Sequence, residues 1–197
     1  VVFLGELHDN PWHHENQTAM VGGLSPKAIV FEMLSSEQAD LVTDALLLNQ
    51  DALEKALGWN DSGWPDFSMY YPIFRAAEGA EIYGAQVSRA DVRDAIMGES
   101  LATTFGKEAA QFGLMSALDE AEQATREAEQ LEAHCNALPD EMLAGMVLGQ
   151  RLRDATLARE IERALAGTGG PVVVITGNGH ARKDWGAPRA VSGHITQ

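Results

Sequence analysis

Residues 171–183 read PVVVITGNGHARK. Four β-branched residues in a row, Val172 to Ile175, form a short strand with no polar alternation. The strand ends in a glycine turn that delivers His180. The chain opens in the same way. Residues 1–14 read VVFLGELHDNPWHH, an apolar run followed by Gly5, Glu6 and His8. A third apolar run, KAIVFEM at 27–33, ends on Glu32, and AEIYGAQV at 80–87 is a fourth strand. Strands that are apolar throughout are covered on both faces, and strands separated by helices are joined as parallel βαβ units. The expected fold is therefore α/β, a mainly parallel sheet flanked by helices. A helical excursion precedes the last clear strand.

Helices fill the intervals. Asn10 followed by Pro11 is an N-cap and first-turn proline, so a helix is predicted from there to about Val21, stopped by Gly22 and Gly23. A second is predicted from Ser36 to about Asn49, a shorter one from Asp51 to Leu57, and another in MYYPIFRAAEG. Residues 58–67, GWNDSGWPDF, form a loop that carries two tryptophans. Residues from about 90 to 166 read as helical throughout, including an acidic helix from Ala117 to Ala133 and a long helix from Pro139 to Leu165. The organisation expected is one domain over 1–197 with a helical insertion at about 90–138.

The chain has 197 residues, 45% of them hydrophobic and 22% charged, the composition of an ordinary globular domain. A net charge of −15 argues against nucleic acid and anionic membrane surfaces as partners. No apolar run approaches the roughly 18 residues of a membrane span. Residue 1 already lies inside a strand, so the natural N-terminus is expected upstream and no targeting signal is present in this chain. The single cysteine, Cys135, allows neither an internal disulfide nor a cysteine-based zinc site.

In open parallel sheets, ligands collect beyond the C-terminal ends of the strands. His8, Glu32 and His180 all fall there, and two histidines with one carboxylate are a common metal-ligand set. Glu6 is a further ligand, an orienting partner for His8 or a general base. The plainer alternative is loop histidines bonded to backbone. GNGH lacks the glycine spacing of a dinucleotide fingerprint, and no P-loop lysine follows, so a nucleotide phosphate site is rejected. On the long helix, Leu143, Val147, Gln150, Asp154, Leu157, Ile161 and Leu165 share a face, and Gln150 and Asp154 interrupt its apolar stripe. They either line the strand-end site or, for Asp154, pair with Arg151 or Arg153. His13 and His14 open the first helix, where at least one faces solvent. Tyr70 and Tyr71 belong to an aromatic cluster, either as core or as a tyrosinate ligand to ferric haem. The glutamates around Glu120 and Glu132 form a solvated face.

Taken together, FLGELHDNPWHH, IVFEM, the two-tryptophan loop followed by Tyr-Tyr-Pro, HCNALP, GQRLRDATLA and VVITGNGHARKDWGAP resemble the ChaN-like haem-binding uptake proteins, in order from Phe3 to Pro188. That family is grouped with erythromycin esterase and TIKI-type proteins. The resemblance implies an EreA/ChaN-like α/β fold and a non-catalytic haem-binding protein of bacterial iron uptake. It places the protein in the cell envelope, periplasmic or lipid-anchored, although the lipidation cysteine is not in this chain. It implies haem held as a cofacial pair between two subunits, with tyrosine ligation through Tyr70 or Tyr71 and with His8, His13, His14 and His180 as further haem-binding candidates. Arg89, Arg93, Arg182 and Lys183 are candidate partners for the propionates. Glu6, Glu32, Gln150 and Asp154 also match family positions. The aromatic loop from Trp59 to Tyr71 is expected to line the dimer interface. The alternative reading is a metal-dependent hydrolase in which His8, Glu32 and His180 hold a divalent ion and Glu6 or Asp154 activates its water.

Overall fold

A computed structural model describes residues 1–97 and 100–191. Two residues of the long stretch read as helical, 98 and 99, lie outside it. The elements run β1 (Val2–Glu6), α1 (Pro11–Leu24), β2 (Ala28–Phe31), α2 (Ser36–Asp40), α3 (Asp44–Leu47), α4 (Gln50–Leu57), a 3-10 turn (Trp59–Asp61) and α5 (Phe67–Ala76). They continue with β3 (Glu81–Gly84), α6 (Arg89–Met97), α7 (Leu101–Phe105), α8 (Glu120–Ala133), α9 (Asp140–Thr168), β4 (Val172–Gly177) and α10 (Ala187–Ala190). The chain divides into two compact units, one of residues 1–86 with 157–197 and one of residues 87–156.

The first unit holds the sheet. Its four strands are all parallel in the order β1-β4-β2-β3. The last strand in sequence therefore lies between the first two. Glu6 pairs in register with Gly177, and Phe31 with Ile175. β2 and β4 are buried along their whole length, as their unbroken apolar sequences require. On one face Leu4, Ile29, Phe31, Val173 and Ile175 meet Val21 of α1 and Ile73 and Phe74 of α5. Phe74 stacks on Phe31 at 4.3 Å between centroids. Such a pair adds about 0.5–1.5 kcal/mol to what burial of the rings contributes.

The aromatic loop folds into this core instead of presenting a surface. Trp59, Phe67 and Tyr70 are buried, and the Trp59 indole N–H donates to Pro65 O at 2.7 Å. The expectation that the loop lines a dimer interface because it would otherwise be an exposed apolar patch therefore loses its premise.

Several helix limits differ from the sequence expectation. Asn10 caps α1 as read, its side chain accepting from Trp12 N, but the helix passes through Gly22 and Gly23 and ends where Ser25 takes a φ of 45°. Both glycines sit in open space, where the cost is about 1 kcal/mol each relative to alanine and packing elsewhere on the helix outweighs it. The helix expected over 36–49 is two short ones, because the Thr43 side chain caps the second by accepting from Leu46 N. Asn49 then caps α4 instead of ending its predecessor.

In the second unit the stretch between α7 and α8 is a series of turns, not helix. Its core is made of Leu101, Phe105, Ala109, Phe112, Leu143 and Val147. Phe105 and Phe112 meet edge to face at 5.5 Å. α8 is exposed along about half its residues, with Arg126 buried and paired to Glu122. Gln150 and Asp154, as well as Arg89 and Arg93, belong to this unit.

Candidate functional site

Three adjacent strands, β1, β4 and β2, end side by side. Their order decides which side chains meet. Glu6 closes β1 and His8 follows it. Thr176 and Gly177 close β4, with His180 in the turn beyond, and Glu32 follows β2 directly. Because β4 lies in the middle, groups from β1 and β2 meet over Gly177. A Cβ on Gly177 would stand 3.0 Å from His8 Nε2 and 3.7 Å from Glu32 Oε2. Only the glycine leaves room for the imidazole. Gly5, one residue before Glu6, is equally constrained, since a Cβ there would lie 2.5 Å from Asn178 Oδ1.

Glu6 is the hub. It is 1% exposed, and its Oε1 accepts two hydrogen bonds, from the Tyr70 hydroxyl at 2.6 Å and from His8 Nδ1 at 2.8 Å. Among the described residues its Oε2 is buried without a hydrogen-bond partner, and His14 Nδ1 lies 3.5 Å away. A buried carboxylate is tolerated only when donors compensate for its lost hydration. Tyr70 comes from α5, so the helix that builds the core also satisfies the strand-end carboxylate.

Glu32 is the second buried carboxylate. Its Oε2 accepts from Thr176 Oγ1 at 2.6 Å and from Gly177 N at 2.8 Å, and its Oε1 lies 3.6 Å from His180 Nε2. Burial pushes its pKa up, but His180, the Thr176 hydroxyl and the Gly177 N–H outweigh burial, and the carboxyl stays below the usual range.

The histidines divide by what their nitrogens face. His8 presents Nδ1 to Glu6, so in the neutral ring that nitrogen carries the proton and Nε2 holds the lone pair. Nε2 has no hydrogen-bond partner among the described residues, and the side chain is 36% exposed. Burial lowers the His8 pKa, but the Glu6 hydrogen bond and the charges of Glu32 and Glu6 raise it above the ordinary value, despite opposition from His180. The His8 ring meets Trp64 edge-on at 4.9 Å. His13 Nδ1 accepts from Leu7 N at 2.8 Å, which leaves its other nitrogen as a donor in the neutral ring. His14 is buried with both nitrogens facing oxygens, Nε2 on His8 O at 2.9 Å and Nδ1 on Gln17 Oε1 at 3.2 Å. Gln17 is itself fixed by donating to Leu4 O.

The structure thus brings together His8, Glu32 and His180, with Glu6, His14 and Tyr70 beside them. Tyr70 lies in the core, one of the two places expected of it. Its side chain is 0% exposed and its phenol donates to Glu6, and burial together with the Glu6 charge drives its pKa far upward. Tyr71 donates to Leu47 O at 2.8 Å and is likewise committed. His14 has no nitrogen to spare. The divalent-ion reading also loses support. Glu32 spends Oε2 on Thr176 and Gly177, and among the described residues no group of three His, Cys, Asp or Glu side chains is arranged to hold a metal ion.

Sequence reasoning overlooked four side chains. Gln17 and Thr176 hold His14 and Glu32. Leu7 and Trp12 flank His8 in the chain and stand 56% and 69% exposed. The signal for these two was present in GELHDNPWHH, where a leucine and a tryptophan alternate with the polar site residues. Past His180, Arg182 lies 3.8 Å from the centre of the Trp185 ring and pairs with Asp184 through two nitrogens, at 2.9 and 2.6 Å.

Comparisons with known proteins agree with this architecture. The structure of ChaN of Campylobacter jejuni, described as binding haem cofacially, matches with a TM-score of 0.68 at 22% identity, over 95% of this chain and 73% of that one. At that identity the likeness is one of fold. No curated protein matches the chain. The family model described as haem-binding uptake, Tiki superfamily, ChaN matches residues 1–191, nearly the whole chain. With the parallel sheet and its strand-end histidines in place, the chain belongs to the ChaN family of haem-binding uptake proteins in the Tiki superfamily.

Proposed function

We propose that the chain binds haem at the strand-end face around His8, as a non-catalytic protein of bacterial haem and iron uptake. The observation that carries this reading is His8 itself. Its Nδ1 is tied to Glu6 at 2.8 Å, its Nε2 has no hydrogen-bond partner among the described residues, and the ring is partly open to solvent. That is the arrangement by which proteins present imidazole to a metal. Near it in the chain, Leu7 and Trp12 are exposed apolar groups, and Trp64 packs on the imidazole, side chains suited to a porphyrin face. A bound haem supplies a ferric centre that takes axial ligands.

The chain's own residues then have distinct tasks. His8 would hold the iron through its open nitrogen, Leu7, Trp12 and Trp64 would exclude water, and the N–H of His13 would be available to a propionate. Lys183 is exposed, while Arg182 is held by Asp184. For Tyr70 to ligate iron instead, its bond to Glu6 would have to break and its proton leave a buried site. A second copy covering the open side of the haem accords with the exposure of Leu7 and Trp12, which replaces the aromatic loop as the interface of a homodimer. A periplasmic or lipid-anchored location belongs to the same reading, and among the described residues no helix is long and apolar enough to cross a membrane.

The test is a hemin titration of the protein, of His8→Ala and of Tyr70→Phe, followed in the Soret region and by electron paramagnetic resonance. Loss of a nitrogen-ligated signature in His8→Ala, retained in Tyr70→Phe, supports the reading. The reverse pattern assigns the iron to Tyr70. Sedimentation with and without hemin tests the dimer.

A further inference from the structure

Gly177 and Gly179 stand two positions apart in the turn that leaves β4, and the structure treats them differently. A Cβ on Gly177 would crowd His8 at 3.0 Å. A Cβ on Gly179 would meet nothing within 4 Å, and the φ of Gly179 lies outside the left-handed region. Neither space nor backbone conformation requires glycine there. What Gly179 does is leave the main-chain nitrogen after Asn178 unshielded. Both residues are exposed, and other groups hold the turn. Asn178 N donates to Glu6 O at 2.9 Å, while His180 N and Ala181 N donate to Gly177 O at 3.0 and 3.2 Å. Among the described residues the Gly179 N–H has no acceptor, and the Asn178 side-chain amide has no hydrogen-bond partner.

We infer that Asn178 is a site of spontaneous deamidation. The Gly179 nitrogen attacks the side-chain carbonyl carbon of Asn178. A new C–N bond closes a succinimide ring, the Gly179 proton passes to solvent, and the side-chain nitrogen leaves as ammonia. Water then opens the ring at one carbonyl to give aspartate, or at the other to give isoaspartate, which adds a methylene to the main chain. The other asparagines lack these conditions. Asn10 and Asn49 spend their side chains on helix caps, and Pro11 after Asn10 has no N–H. The nitrogens that follow Asn60 and Asn136 donate to Gly58 O and His134 O, and Asn16 lies inside α1. Either product places a carboxylate next to Gly177, whose N–H holds Glu32, and isoaspartate lengthens the turn that carries His180. On the reading that haem lies at this strand-end face, the added charge repels the anionic propionates, whichever group holds the iron.

The experiment ages the full chain at neutral and at mildly alkaline pH and maps its peptides by mass, with a carboxyl methyltransferase assay for isoaspartate. The expected result is exchange of NH for O at Asn178 and at no other asparagine, faster at the higher pH because the attacking nitrogen must lose its proton. Gly179→Ala, which the open space accommodates, should suppress it. No conversion at Asn178 in the folded chain overturns the inference, and so does an equal rate in Gly179→Ala. Asn178→Asp carries the charged product in every molecule and should bind hemin about 2- to 5-fold more weakly, the scale of one solvent-exposed charge interaction. Parent affinity both in Asn178→Asp and in the aged, isoaspartate-containing protein overturns the effect on haem. If the parent itself does not bind hemin, the haem reading fails, and the mass measurement still decides whether Asn178 deamidates.

Discussion

The Tyr70 hydroxyl meets the Glu6 carboxylate at 2.6 Å across a separation of 64 positions in the chain. The contact joins the core helix α5 to the end of the edge strand β1. A hydrogen bond to a charged acceptor contributes about 1.5–3 kcal/mol, and here its loss leaves a buried carboxylate short of a donor. Tyr70→Phe should therefore lower the unfolding free energy by about that amount, seen as a lower denaturant midpoint at unchanged slope. A variant as stable as the parent would show that the bond makes no net contribution.

Gly177→Ala should separate site from fold. The new methyl would stand 3.0 Å from His8 Nε2 and 3.2 Å from His8 Cε1, so the partly exposed ring must swing away. We expect a stability loss of about 1–3 kcal/mol and a disproportionate loss of hemin affinity. Hemin affinity equal to the parent's in a folded variant would mean that the ring position over Gly177 does not matter for binding.

Trp12→Ala addresses the exposed apolar group four residues after His8. With its side chain exposed, the substitution should change stability by no more than about 0.5 kcal/mol. If haem covers Trp12, hemin affinity should fall about 10- to 100-fold, the equivalent of about 1.5–3 kcal/mol of lost aromatic burial. A fluorescence titration that finds neither tryptophan quenching lost nor affinity changed would move the haem elsewhere on the surface.

Glu32 and His8 should give the stability opposite slopes with pH. The folded-state pKa of Glu32 is depressed, so its contribution is fully present above its ordinary value of 4.5 and is lost as pH falls through the lower folded value. That of His8 is raised, so its contribution is present below 6.5 and fades as pH rises through the higher folded value. Glu32→Gln should flatten the acid limb of a stability–pH curve, and His8→Asn the limb above neutrality. An acid limb unchanged in Glu32→Gln would place the loss of stability in other carboxylates.

Much of this protein was legible as sequence. Unbroken apolar runs at 28–31 and 172–175 are buried along their whole length in a sheet covered on both faces, and with helices between the strands these run parallel, which puts His8, Glu32 and His180 at strand ends. Asn10 and Pro11 set the start of α1 because capping is local chemistry. Helix ends were less legible, because Gly22, Gly23 and Thr43 each have a local preference that packing or a neighbouring cap can override.

The order of the strands is nowhere in the local pattern. Only the tertiary structure inserts β4 between β1 and β2, and so only it decides that His8 and Glu32 meet over Gly177. The same holds for Tyr70. Its sequence neighbourhood is compatible with an exposed ligand or a core ring, and the choice falls to α5, which carries the phenol to the one buried carboxylate oxygen that also holds His8. Side-chain identity determines which chemistry is available, whereas burial and strand order determine which atoms remain open to a ligand.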